Sequence, residues 1–479
     1  MNVAGALLDR PKAAAGTAAG ASAASVLLVP DNLAAFALRA LSARAATKTL
    51  DLQYYVWQAD VTGRLLAREV LQAADRGVRV RLLLDDLYVR GSDRELATLA
   101  MHPGIDVRLY NPFQNRRWGA LGNAVEILLA GWRLNHRMHN KAWIVDRALM
   151  IGGGRNIGDE YFDASCQFNF RDLDLVVAGG AAAQAVALFD GYWNSRRVRP
   201  IGHFATARPL PGGLDALRRM LDAAAASASA PAYLEQLQKF PGLDALLADG
   251  AVPLPADQVR IVADPPGKRH GRHRAPGLLD VIRKSLRGAQ SQILLISPYF
   301  VPGRRGTRQL VRLARRGVRV SVLTNSLAAT DVLAVHGRYE RYRRRLLRGG
   351  VEVHELKRGG QEGSSLFGSG GASLHTKAFA VDGRLIFVGS FNFDHRSADL
   401  NTEMGTFVED PRLADQLAQE FARLVDPARS WQVSVANGRL AWSNHVDGKR
   451  VTLHREPDAG LARRVIAQLL GWLPIEPQL

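Results

Sequence analysis

Two short stretches of this chain carry the same reactive grouping. Residues 137–156 read RMHNKAWIVDRALMIGGGRN and residues 373–392 read SLHTKAFAVDGRLIFVGSFN. Each contains His-x-Lys-x4-Asp: His139, Lys141 and Asp146 in the first copy, His375, Lys377 and Asp382 in the second. From the histidine to the closing asparagine the copies keep a constant offset of 236 residues. On a strand, residues i and i+2 face the same side, so each histidine projects together with its lysine. An imidazole can attack as a nucleophile or donate a proton, and an ammonium can neutralise a phosphate oxygen. Lysine is the rare base here, 9 residues against 54 arginines. Its presence in both motifs is therefore selective, because a compact ammonium does not substitute for a guanidinium. The grouping implies a phosphodiester-type site with both halves on one chain.

The surrounding residues extend the candidate set. Asp146 and Asp382 close the two motifs. Asp382 precedes Gly383 in a hairpin-type turn, which points to ordering the loop, and the first copy has the less suitable Asp146-Arg147. Gly152 to Gly154 and Gly389 permit close backbone approach by a ligand, so Gly153, Gly154 and Ser390 are candidate substrate contacts. Asn156 and Asn392 can hydrogen-bond phosphoryl oxygens. Asp172 and Glu403 open corresponding strands, DLDLVV and EMGTFV. A carboxylate there can orient each histidine and fix its tautomer, with Asp174 as the alternative in the first copy. Arg155 stands where the second copy has Phe391, and reads either as a phosphate contact or as one more surface arginine.

These residues need elements to position them. The first copy opens with a strand-like run, LDLQYYVW from Leu50, followed by a helical stretch, Arg64 to Ala74, and the strand RGVRVRLLLDD. The second opens with QILLISPYFV from Gln292, then a helical stretch near Gln309 to Ala314, then RGVRVSVLTNS. Strand, amphipathic helix, strand is the βαβ pattern of a mostly parallel sheet. Two copies facing each other across a pseudo-twofold axis are the expected arrangement.

At 479 residues, 47% of them hydrophobic, the chain can bury more than one core. The single Cys166 excludes an intramolecular disulfide and a cysteine-built metal cluster. The histidine pairs His136/His139 and His270/His273 have no carboxylate or cysteine pattern to complete a metal site. No cofactor or metal is expected. The net charge of +18 favours an anionic partner, lipid or nucleic acid, and part of it reflects an arginine-rich composition. No apolar run approaches the roughly 18 residues of a membrane-spanning helix. Residues 1–24 read as a flexible Ala/Gly-rich tail without a signal peptide.

The paired motifs resemble those of the phospholipase D superfamily, over nearly the whole chain from about Leu28. The stretches LDLQYYVWQADVTGRLL, MHNKAWIVD, GGRNIGDEYF, TNSLAATDVLAVHGRYERYR and FDHRSADLNTEMG are similar to the C-type branch of bacterial cardiolipin synthases. The resemblance implies an α/β fold: two duplicated phospholipase D-like α-β-α sandwich domains with mixed, largely parallel sheets and one shared active site. The expected boundaries are 25–207 and 256–427 for the domains. An Ala/Pro-rich connector, 208–255, lies between them, and a C-terminal module with an apolar helix, 428–479, follows. It further implies metal-independent, two-step phosphatidyl transfer, with His139 as nucleophile and His375 as acid and base. Lys141, Lys377, Asn156 and Asn392 would then hold the non-bridging oxygens. The implied substrates are phosphatidylglycerol and, as another donor, phosphatidylethanolamine, with room for an accessory protein. The expected location is peripheral, on the cytoplasmic side of the bacterial inner membrane.

Two apolar segments favour lipid over nucleic acid. Residues 116–133, RRWGALGNAVEILLAGWR, place Trp118 and Trp132 near the ends with arginines outside them. Such a stretch suits the headgroup region, and it leads directly to His139. The C-terminal ARRVIAQLLGWLP has a similar make-up. Either segment can equally pack on its own domain. The basic runs KRHGRHR from Lys268 and RYRRR from Arg341 suit anionic lipid, nucleic acid or plain solvent.

Overall fold

The computed structural model describes residues 23–89, 91–113, 131, 134–204, 206–227, 230–240, 242–248, 250–268, 277–359, 371–446 and 449–473. The expected tail therefore falls almost wholly outside the described residues, as do Trp118, Trp132, His270 and His273.

The first copy begins with β1 (Ala23–Val29), α1 (Asn32–Ala45) and β2 (Thr49–Tyr54). α2 (Val61–Asp75), β3 (Arg79–Asp85) and β4 (Ile105–Tyr110) follow. The hairpin β5 (Ala142–Val145) and β6 (Leu149–Gly153) comes next, then β7 (Asn169–Arg171), β8 (Asp174–Gly179), α3 (Ala182–Trp193) and β9 (Val198–Pro200). Local chemistry sets the helix starts. Asp31 accepts from the Ala34 N–H at 2.7 Å and Asp60 from the Gly63 N–H at 2.9 Å, each satisfying an orphan donor of the first turn. α2 then buries Leu66, Val70, Ala73 and Ala74 at helical spacing.

After β10 (Val252–Pro255) the second copy repeats the plan with β11 (Val259–Ala263), α4 (Leu278–Arg287), β12 (Gln292–Ile296) and α5 (Gly303–Arg315). It continues with β13 (Arg319–Asn325), α6 (Leu333–Arg348), β14 (Glu352–Leu356) and β15 (Ala372–Leu374). The second motif hairpin is β16 (Ala378–Val381) and β17 (Leu385–Gly389), and β18 (Met404–Glu409) and α7 (Pro411–Val425) follow. The chain closes with β19 (Ser430–Ala436), β20 (Arg439–Val446), β21 (Lys449–Leu453) and α8 (Leu461–Trp472).

The first sheet runs β10-β1-β8-β6-β5-β2-β3-β4-β9, and the second β11-β18-β17-β16-β12-β13-β14-β19-β20-β21. From β1 and from β11 onward, eight strands correspond position for position, so the duplication seen in the motifs extends through both sheets. The sheets are mixed, but their parallel share is smaller than expected. Within these two sheets, parallel pairing among the described residues is confined to β2–β3–β4 and β12–β13–β14. The motif hairpins turn through three residues, Asp146 to Ala148 and Asp382 to Arg384, the first two of each at positive φ. A turn that short leaves no chain for a parallel crossover, so the strands it joins are antiparallel.

Two boundaries differ from the sequence expectation. Residues of the 208–255 connector pack onto the first copy: Leu217, Leu221, Tyr233, Leu243 and Leu247 join its core, and β10 pairs antiparallel with β1. Leucines at helical spacing give these segments a face to bury. After residue 428, β19 pairs with β14 and carries β20 and β21 onto the edge of the second sheet, so these strands are not a separate module.

The two copies share one core. Leu175, Val177 and Ile144 of the first sheet lie in a single buried cluster with Ala380, Ile386 and Val388 of the second, flanked by α3 and α7. The outer faces are covered separately, by α1 and α2 on one side and by α4, α5 and α6 on the other. Among the described residues, no helix is long and apolar enough to cross a membrane.

Candidate active site

The two motif histidines sit just before β5 and β16, where the copies are stitched together through their backbones. β7 pairs in parallel with β15, matching Arg171 to Leu374, and the His375 N–H donates to the Arg171 carbonyl at 2.8 Å. On the other side Met138 bridges Thr402, and the His139 N–H donates to the Thr402 carbonyl at 2.9 Å. Each pairing brings the next residue of one copy to the histidine of the other.

The carboxylates are consequently exchanged. His375 Nδ1 lies 2.5 Å from Asp172 Oδ2, and His139 Nδ1 lies 2.9 Å from Glu403 Oε2 and 3.0 Å from the Ser390 carbonyl. Asp172 and Glu403 are thus histidine partners, but across the domain boundary. Asp174 is not the orienter: it pairs with Arg39 at 2.9 Å. With Nδ1 held by a carboxylate, the proton sits on Nδ1 and the Nε2 lone pair is left for a substrate.

Lys141 and Lys377 are buried beside these rings. Lys141 Nζ donates to the His139 carbonyl at 2.6 Å, and Lys377 Nζ makes the equivalent bond to the His375 carbonyl. Tyr55 stands edge-on to His139 at 5.0 Å between ring centres, while Tyr161 and Phe170 lie 5.2 and 4.8 Å from His375. Burial drives both imidazoles toward neutrality. His139 is pushed down to about 4, Glu403 pulling the other way. His375 lies well below the ordinary imidazole range, because the charges of Lys377 and Lys141 add to its burial. Burial also lowers Lys141 strongly and Lys377 to about 8, with Asp172 and Glu403 restoring part of the latter. Asp172 is raised by burial against Lys377 and Arg155. In Glu403 burial is outweighed by His139, Lys141 and the Ser390 hydroxyl, and its pKa falls.

The asparagines differ. Asn156 is committed, donating to Tyr161 Oη at 2.9 Å and accepting from the Val56 N–H at 3.3 Å. Asn392 is buried with no partner for its Oδ1, so that oxygen can accept from a ligand hydroxyl.

Several expected site residues do other work. Asp146 lies at the far end of β5 from His139, where it accepts from the N–H groups of Thr47, Lys48 and Thr49 at 3.0, 2.7 and 2.9 Å. Asp382 repeats this with Gln290, Ser291 and Gln292 at 2.9, 2.8 and 2.9 Å. Both carboxylates tie the motif hairpin to the start of the neighbouring strand, and neither reaches the histidines. Arg155 is neither a phosphate contact nor a surface residue. It is fully buried, donating to the carbonyls of Val29, Pro30 and Asp172 and to Asn32 Oδ1. Gly153 and Gly154 make room for a strand instead of a ligand. A Cβ at Gly154 would lie 2.0 Å from Asp172 Oδ1, and one at Gly153 2.3 Å from the Leu173 carbonyl. The Ser390 hydroxyl donates to Glu403, so that residue positions the carboxylate.

Other participants escaped the sequence reading. Ser397 donates to Glu403 Oε1 at 2.7 Å. Asp264 Oδ2 accepts from the Glu403 N–H at 3.1 Å and from Lys268 Nζ at 2.8 Å. Lys268 was legible only as part of a basic run, yet it is buried here. His136 bonds the Leu400 carbonyl at 2.9 Å. Among the described residues, His336, Glu340 and Glu456 bring ligand-type atoms within 4.8 Å of one another. The Arg343 guanidinium already holds Glu456 at 2.5 Å, which makes an ion-pair network of the group.

The family profile described as "Cardiolipin synthase, PLD-like domain" matches residues 42–193 and 282–425, which contain both motif hairpins and both carboxylates. The chain belongs to that phospholipase D-like family. It is 42% identical to cardiolipin synthase C of Escherichia coli (strain K12) over 453 residues, 93% of this chain and 94% of that protein. A cardiolipin synthase of Staphylococcus aureus (strain Mu50 / ATCC 700699) is 26% identical over 382 residues, covering 79% of this chain and 62% of the other. The crystal structure of phosphatidylserine synthase from Haemophilus influenzae Rd KW20 superposes with a TM-score of 0.60, covering 95% of each chain at 15% identity. This cardiolipin synthase-family enzyme therefore shares that fold over most of its length.

Proposed function

We propose that this enzyme transfers a phosphatidyl group onto the glycerol headgroup hydroxyl of phosphatidylglycerol, through a phosphohistidine formed on His139. The supporting observation is the pair of exchanged dyads, each leaving an imidazole Nε2 free beside a buried ammonium. His139 Nε2 attacks phosphorus, and the bond to the departing headgroup oxygen breaks as that oxygen takes a proton from His375. His375 then removes the proton of the incoming hydroxyl. The new P–O bond forms as the P–N bond breaks, and the electron pair returns to His139. Lys141 and Lys377 face the non-bridging oxygens, with Asn392 beside them. The bound phosphodiester anion offsets the two ammonium charges that depress His375, so the ring can hold the proton it must donate. A second phosphatidylglycerol, releasing glycerol, or phosphatidylethanolamine, releasing ethanolamine, serves as donor. The site works against an anionic membrane on the cytoplasmic side, with or without an accessory protein.

The test is expression in bacteria that lack cardiolipin, with lipids measured by mass spectrometry. Cardiolipin should appear with the wild type and be lost with His139→Ala and with His375→Ala. Release of phosphatidic acid without cardiolipin would make the enzyme a hydrolase. Nicking of plasmid by the pure protein, abolished in the same variants, would make it a nuclease.

A further inference from the structure

Among the described residues, most of the exposed large hydrophobic side chains lie on the outward side of α8 and its following residue. Of its residues and the following Leu473, the exposed ones are Leu461, Ala462, Val465, Ile466, Gln468, Leu469, Trp472 and Leu473. No charge is among them. Leu461 is 76% exposed, Trp472 69% and Leu469 55%. A soluble surface helix turns its apolar stripe inward and its charges outward; α8 does the reverse. Its arginines point in and are consumed. Arg463 Nε donates to the Leu327 carbonyl at 2.7 Å and the same guanidinium reaches the Thr330 carbonyl, while Arg464 donates to the Glu456 carbonyl at 2.9 Å.

The helix is fixed to the body. A Cβ on Gly337 of α6 would lie 2.1 Å from the Ala467 carbonyl, and one on Gly471 2.7 Å from the Gly337 carbonyl, so the two backbones touch. Just before α8, Glu456 is held by Arg343, which also grips Glu355 at 2.8 Å. The apolar face is therefore presented rigidly.

Its place matters. Thr330, which Arg463 holds, precedes Asp331, and Asp331 accepts from Tyr299 Oη at 2.6 Å. Leu327, whose carbonyl Arg463 also holds, lies two residues beyond Asn325, and the Asn325 amide pairs with the Leu374 backbone at 2.9 and 3.0 Å, so the start of α8 borders the segment that carries His375.

We infer that α8 is a membrane-docking helix whose outward face enters the headgroup region of an anionic bilayer and sets the active site at the depth of its lipid substrate. This rests on the lipid reading of the site given above. A bilayer suits the face better than a protein partner for three reasons. The face itself carries no charge to fix a protein partner's register, and it ends in an aromatic of the type that favours headgroup depth. It adjoins a lipid site on a chain of net charge +18. At 12 residues the helix is roughly 18 Å long, too short to span and suited to lying flat.

The experiment uses the full chain, vesicles of phosphatidylglycerol and phosphatidylethanolamine, and the double variant Ile466→Asp/Leu469→Asp. Expected are flotation with vesicles weakened at least about tenfold, an unchanged melting temperature, and unchanged turnover of a short-chain, water-soluble phosphatidylglycerol. If the double variant does not fold, Trp472→Phe gives the answer instead. Bromolipid quenching of tryptophan fluorescence should fall in that variant, and unchanged quenching would overturn the docking. Wild-type flotation in the folded double variant would overturn it too. So would a wild-type dimer that the variant dissociates while vesicle binding persists. If the wild type floats through α8 yet transfers no phosphatidyl group, the docking stands and the proposed reaction falls.

Discussion

Replacing Asp382 with alanine should cost stability and leave turnover nearly intact, although Asp382 closes the motif that defines the site. The carboxylate accepts four hydrogen bonds, from the N–H groups of Gln290, Ser291 and Gln292 and from the Ser291 hydroxyl, at 2.8 to 2.9 Å. Bonds to a charged group contribute about 1.5–3 kcal/mol each, so simple addition would give ~6–12 kcal/mol. Addition overshoots, because this turn is open to water that re-solvates the freed N–H groups. Capping side chains, the nearest analogue, cost about 0.5–2 kcal/mol on removal. A loss of about 2 kcal/mol follows, and with it a fall of roughly 4–8 °C in melting temperature for a domain of this size. The dependence on pH has a definite sign. Burial raises the Asp382 pKa, but its bonds from Gln292, Ser291 and Gln290 outweigh this and hold it below the ordinary value. Its contribution is complete above the unfolded-state value and is lost as pH falls through the folded one. The gap between wild type and variant should therefore close in acid. Thermal melts from pH 3 to pH 8, run beside a kcat measurement, decide the matter. A kcat loss of about 10²-fold or more with an unaltered melt would refute the structural role and return Asp382 to the chemistry.

Three further outcomes can be checked. Arg155→Ala should lower stability by about 3–5 kcal/mol in urea titrations, because it leaves Asn32 Oδ1 and the Val29, Pro30 and Asp172 carbonyls buried without their donor; a change confined to KM would restore a substrate role. Gly154→Ala should drive the Asp172 carboxylate off His375 and lower kcat by roughly 10²-fold, as small misplacements do, while the melt changes little. The rate profile should fall on the acid side as His139 protonates near 4 and on the alkaline side as the buried ammoniums of Lys141 and Lys377 lose their protons, Lys377 near 8. A profile without an alkaline limb would refute a role for these two charges.

What the sequence revealed depended on how local the cause was. His139 and Lys141, like His375 and Lys377, were readable as pairs because strand alternation is a local rule. Asp172 and Glu403 were readable by residue type. Their exchange was not, since it arises from β7 meeting β15 and Thr402 meeting Met138, contacts between segments more than 200 residues apart. Asp146 and Asp382 were grouped with the histidines by the motif, but the four residues before each form a strand that carries the carboxylate to the opposite end. The glycines did signal close approach, yet the object was the Asp172 strand. Arg155 misled because arginine is abundant here, and abundance says nothing about the one buried among the Val29, Pro30 and Asp172 carbonyls. Likewise Leu217, Leu221 and β10 bind the supposed connector to the first core, and its Ala/Pro content concealed this.

The exchange of carboxylates between the copies also sets a timetable for synthesis. Residue 403 must emerge from the ribosome before His139 can meet Glu403, and residue 375 before Asp172 has its histidine. Contacts of such long sequence separation close late, after each half has collected its own sheet. A growing or half-folded chain therefore lacks both histidine–carboxylate pairs, which come together only when most of the polypeptide is in place.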